Sequence, residues 1–187
     1  MGIIQSSEYI LIKLSVMEKV KQLLTEFVPV IDDLIISRLP VEIQGVLMHA
    51  KISKGENYQQ LPYMILDHPR FFNGENILAL RTMFWWSKFV SITLHLSGTW
   101  LAQFRSKLAD SYNEACKYMV CINTEQWHHH FGNDNYTAVA SMNEDKWKSI
   151  IQGADFVKIA IYFPLEKWES FPELLEQVYA EISEMLN

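Results

Sequence analysis

The run Met83-Phe84-Trp85-Trp86-Ser87-Lys88-Phe89 leads directly into Val90-Ser91-Ile92-Thr93-Leu94-His95-Leu96-Ser97. The second stretch alternates with the period of two that an extended backbone imposes, so it reads as a strand. Val90, Ile92, Leu94 and Leu96 share one face, and Phe89, Ser91, Thr93, His95 and Ser97 share the other. Ile77 to Trp86 and Lys88 to Ser97 are joined too tightly for a crossover helix and are expected as antiparallel neighbours. Successive side chains on a strand point oppositely, so Trp85 and Trp86 cannot enter the same layer. One of them needs a second cover: a helix on the far side, a subunit or a ligand.

Upstream of this pair, Val16, Val20, Leu23, Leu24, Phe27, Ile31, Leu34 and Ile35 fall at steps that lay a stripe along a helix. Pro29 lacks the amide that would reach the carbonyl of Thr25 and is expected to kink or split it. Pro40 with Ile43, Val46, Leu47 and Ala50 suggests a second, shorter helix, which makes 16–52 a helical N-terminal pair behind a disordered or extended arm over 1–15. The polar Ser53 to Gln60 segment reads as a loop. Tyr63 to Asp67 is a short strand, His68-Pro69 interrupts its ladder, and Asn73-Gly74 signals a hairpin.

Downstream, Trp100, Leu101, Phe104, Leu108, Tyr112 and Ala115 predict a helix capped by Thr99. Tyr118 to Ile122 predicts a strand, and Trp127 to Phe131 with Tyr136 to Ala140 has the pattern of a hairpin around a polar turn. Ser141-Met142-Asn143-Glu144 and Ser170-Phe171-Pro172-Glu173 both fit the reciprocal cap that opens a helix, and Val157 to Phe163 between them alternates as a strand. The element order predicts an α+β fold: a mainly antiparallel sheet of about five to six strands, packed by helices on one face.

The 187 residues, 49% hydrophobic and 20% charged, fit one domain spanning 1–187. A net charge of -6 and only four dispersed arginines argue against a nucleic-acid footprint and against attraction to anionic membranes. Cys116 and Cys121 match neither a redox nor a zinc-knuckle spacing. The first residues carry no secretion signal and no apolar run is long enough to span a bilayer, so a cytoplasmic, bacterial-type protein is expected. Met1-Gly2 followed by Ser6 formally fits a myristoylation pattern, without a second membrane signal.

Three constellations invite a chemical reading. His128-His129-His130 is a run of metal-ligand side chains; on a strand, His128 and His130 would share a face and bind zinc or another divalent metal with Asp134 as third ligand, His95, His68 and Asp67 being the other candidates. Three adjacent histidines in a polar hairpin are more commonly solvated. His95 lies in a row with Ser91, Thr93 and Ser97, but nothing in the sequence sets a carboxylate behind the ring or exposes a nucleophile on a strained turn. Asp67 and His68, adjacent on a strand, diverge, and Arg70 is the expected partner for an acid. The dispersed glycines build no phosphate cradle.

The aromatic surplus at Phe84, Trp85, Trp86 and Phe89, with Arg81 and Lys88 nearby, suits a ligand platform or an interface as well as a core. The chain therefore reads first as a non-catalytic ligand- or protein-binding module presenting Trp85, Trp86, Arg81, Thr93 and His95, with no cofactor. The alternatives are a metal-dependent hydrolase using His128 and His130, with Asp134 or Glu125 as ligand or base, and a homodimer closed through the aromatic strand face.

Overall fold

The strand pair at Ile77–Ser97 is the centre of the sheet. A computed structural model describes residues 7–187; the Gly2 lipidation pattern lies outside the described residues. Seven antiparallel strands, β1 (Lys51–Tyr58), β2 (Leu61–Asn73), β3 (Asn76–Trp85), β4 (Phe89–Ser97), β5 (Met119–Cys121), β6 (Tyr136–Ala138) and β7 (Phe156–Pro164), form one sheet in the order β1-β2-β3-β4-β7-β5-β6. The helices are α1 (Ser7–Leu34), α2 (Val41–Gln44), α3 (Gly98–Asp110), α4 (Tyr112–Ala115), α5 (Glu144–Gly153) and α6 (Phe171–Leu186). The fold is α+β, with one strand more than the sequence suggests.

Periodicity explains the main layer. Leu78, Leu80, Phe84, Ile92, Leu94, Val157 and Ile159 point to one side of the sheet and meet Leu24, Phe27 and Ile31 of α1, Leu101 and Phe104 of α3, and Leu175, Tyr179 and Ile182 of α6. Each large apolar side chain so enclosed contributes roughly 1.5–3 kcal/mol. Thr82, also on this side, meets the Tyr179 hydroxyl at 2.6 Å, so this polar position facing the helices is satisfied. Trp147 of α5 donates its indole N–H to the Leu108 carbonyl of α3 at 2.9 Å, fixing α5 beside the layer.

Several local expectations are corrected. Ser53–Gln60 is not a loop: β1 pairs with β2 from Lys51↔Asp67 to Tyr58↔Leu61, and its polar composition is that of an exposed edge strand. Trp127 to Phe131 is no strand; β5 pairs with β6 and β7, and Ile122–Asn135 is a long irregular loop. Thr99 and Ser141 do not cap. The Thr99 amide donates to Asn76 Oδ1, and Asn143 caps α5 by accepting from the Lys146 amide. α1 already begins at Ser7 and runs unbroken through Pro29, which faces solvent so that the Thr25 carbonyl it leaves unbonded is open to hydration. Arg70 donates to the His49 carbonyl rather than to an acid.

Candidate functional site

The second face of the sheet is enclosed by the protein's own chain. All nine residues of β4 are buried, including Ser91, Thr93, His95 and Ser97. The cover is the Ile122–Asn135 loop together with Tyr58 of β1. Trp85 packs here with Ile65, Met83 and Phe89, with Tyr58 and Phe131 beside them, whereas Trp86 packs on the helix side 5.7 Å from the Phe84 ring. The two indoles do diverge, and both covers are intramolecular.

Strand register gathers the polar residues of this face. Asp67, Arg81 and Thr93 stand in one row across β2, β3 and β4, and Ala79, His95 and Lys158 in the next. Arg81 binds Asp67 bidentately at 2.7 and 3.0 Å, and its remaining arm donates to His129 Nε2 at 2.9 Å. A guanidinium only donates, so His129 is a neutral imidazole with its proton on Nδ1. Burial, then the Arg81 charge, hold its pKa down to about 2. His95 donates from Nε2 to Gln126 Oε1 at 3.1 Å; burial first, and then Lys158, push its pKa down to about 3. Tyr58 Oη accepts from the His129 and His130 amides at 2.7 and 3.2 Å, pinning the loop to the sheet.

Lys158 is the unusual member. It is fully enclosed, its Nζ donates to the His128 carbonyl, and it lies over the Tyr136 ring at 5.3 Å. Among the described residues no carboxylate forms an ion pair with it, because Asp67 is engaged by Arg81. Burial lowers its pKa from 10.5 to about 8. On the same face Trp85 Nε1 is enclosed without a hydrogen-bond partner among the described residues.

A cleft of about 1130 Å³ opens beside this cluster. One wall is the exposed stripe of α5, Lys146, Ser149, Ile150 and Gly153; the other includes Ser97, Cys121 and Gln126. Gln126 lines the cleft and holds His95, so the inner wall of the cleft is the outer wall of the buried cluster. Arg105, at the rim, is committed to the carbonyls of Ile151, Gln152 and Ala154 at the end of α5.

The metal candidates are brought near one another without converging. The His128 and His130 rings lie 5.5 Å apart, and both Asp134 oxygens are 3.3 Å from His130 Nε2. His130 Nδ1 is occupied by the Tyr58 hydroxyl at 3.3 Å, which leaves that ring no free lone pair. Among the described residues no group of three His, Cys, Asp or Glu side chains is placed to hold a metal ion. Arg81, Thr93 and His95 are brought together; Trp85 borders them and Trp86 lies on the opposite side.

The sequence reading passed over Lys158, His129 and Gln126. The available signal was Lys158 itself, a charged residue at the centre of the alternating stretch Phe156–Tyr162, on the face opposite Val157, Ile159 and Ile161. No protein-family model, no curated protein and no solved structure matches this chain.

Proposed function

We propose that this chain is a binding module for a small acidic ligand, a carboxylate or phosphate ester, taken up from the cleft beside α5 and received by Lys158. The reading rests on one observation: an enclosed ammonium whose direct acceptor is a loop carbonyl and with which no carboxylate among the described residues forms an ion pair, Glu125 acting on it only from a distance. A ligand anion replacing the His128 carbonyl would form a charge-assisted bond, roughly twice as strong as a neutral one. His95 and Gln126 would orient it. Buried, perturbed titratable groups behind a cleft are where such sites concentrate.

The test is thermal unfolding at pH 7 with a panel of small mono- and dicarboxylates and phosphate monoesters. A ligand at a hundredfold its Kd adds about 2.7 kcal/mol to stability. At least one probe is expected to raise the melting temperature of the wild type and not that of Lys158→Met. A panel without effect, or equal shifts in both proteins, would leave the cluster a structural polar core.

A second reading, self-association, is favoured by the first turns of α1. Tyr9, Ile10, Leu11, Ile12 and Leu14 are all exposed there, on every side of the helix, and such patches mark interaction surfaces. Lys13 is paired with Glu56 at 2.9 Å and Glu8 is acidic, a balance that suits a second copy better than an anionic membrane. Sedimentation velocity over a range of concentrations is expected to show a dimer that Leu11→Glu with Leu14→Glu dissociates. A monomer at every concentration would remove this reading.

A further inference from the structure

On the helix side, away from the cleft and Lys158, a groove of about 430 Å³ lies between the later turns of α1, the segment joining α2 to β1, and β2. Its apolar walls are Val28, Ile36, Leu47, Met48 and Ala50. Asp32 is the one acid that lines it, and no Lys or Arg does.

At its polar end Asp32 Oδ1 and His68 Nε2 meet at 2.8 Å. Asp67 and His68 are adjacent on β2 and diverge as strand neighbours must: Asp67 turns to Arg81 on the far face, His68 to α1. His68 is 6% exposed, whereas the Asp32 side chain is half exposed. A carboxylate accepts, so the bond takes the Nε2 proton and leaves the lone pair of the neutral ring on Nδ1. That atom is enclosed and has no hydrogen-bond partner among the described residues. Gln44, also lining the groove, donates one amide N–H to the Leu39 carbonyl.

An acceptor-rich end, one uncancelled carboxylate and hydrocarbon walls complement a donor cation with an apolar body. A carboxylate or phosphate would meet Asp32 and a lone pair and be repelled. We propose that this groove is a second ligand site, selective for an organic amine in its ammonium form, with Asp32 as the counter-ion, His68 Nδ1 as a hydrogen-bond acceptor and the apolar walls seating the hydrocarbon. The Asp32–His68 bond fixes the ring so that its acceptor is preorganised.

The experiment is an NMR titration of the full chain with phenethylammonium, its neutral isostere 2-phenylethanol and the anion phenylacetate, following the His68 ring nitrogens and the Asp32 amide. Phenethylammonium is expected to move both at millimolar concentration, to bind about tenfold or more tightly than the alcohol, and to leave Gln126 and Lys158 unmoved; phenylacetate should not bind. Asp32→Asn, at a half-exposed position, should keep the fold and remove the preference for the amine. Equal binding of amine and alcohol, an unchanged preference in Asp32→Asn, or shifts produced by zinc or magnesium ions and not by the amine would overturn the assignment.

Discussion

Lys158, His95 and His129 carry large shifts that bear on how this protein responds to pH. His95 and His129 are held neutral, with pKa values near 3 and 2 against 6.5 in the unfolded chain. A base whose folded value is depressed stabilises the fold above its unfolded value and loses that contribution as pH falls below it. Stability should therefore drop from pH 6.5 downward, by up to about 1.4 kcal/mol per imidazole per pH unit, which urea unfolding at pH 7, 6 and 5 would record. Lys158 has the opposite consequence at the other end of the scale. Its enclosed charge costs about 3 kcal/mol at neutral pH, relieved as pH rises from about 8 toward 10.5. Lys158→Met should accordingly stabilise the ligand-free protein by about 1–3 kcal/mol. Asp67→Ala strands the Arg81 guanidinium and should cost about 3–5 kcal/mol in the same assay. Sequence alternation assigned Thr93 and His95 to one face of β4, yet the residues that give that face its chemistry, His129 and Gln126, come from a loop with no periodicity and so could not be placed.

Among the elements, β3 and β4 were the most legible, because a tight link and a clean period of two leave one pairing; the register runs from Ile77↔Ser97 to Trp85↔Phe89. β1 was hidden for a physical reason. An edge strand has one paired side and little buried area, so Lys51–Tyr58 carries the polar residues of a loop. The Ile122–Asn135 loop reads as a hairpin in sequence, but its His129 and Phe131 side chains pack onto Arg81 and Phe89 of the sheet instead of pairing along it. Where β4 turns into α3, Gly98 holds φ at +57°, and a Cβ there would collide with Asn76 Oδ1 and sit 2.9 Å from the Glu75 carbonyl. That side chain already receives the Thr99 amide. Gly98→Ala is expected to lower stability by at least about 1–2 kcal/mol, measured by chemical unfolding, and an unchanged midpoint would mean that the junction relaxes freely.

At the scale of the whole molecule, the sheet is covered by helices on one side and by its own loop on the other, so the aromatic strand pair is interior, and the surfaces proposed for recognition are the cleft, the groove beside Asp32 and the start of α1. Among the described residues no helix is long and apolar enough to cross a membrane. The Ile122–Asn135 loop has two attachments with different consequences. Its Tyr58 anchor ties it to β1, and the contacts to Lys158 and His95 tie it to the cleft wall. Tyr58→Phe removes the acceptor for two loop amides and should speed hydrogen exchange across 128–131, while exchange in β3 and β4 stays slow. The acidic-ligand account turns on the state of one ammonium. The direct measurement is the pKa of Lys158, read from its ε-methylene resonances across pH 6 to 11, first alone and then with a saturating acid from the thermal panel. A value near 8 that rises when the acid binds, with affinity falling as pH climbs past 8, is what the account predicts; a Lys158 that titrates at the same pH with and without the acid would contradict it.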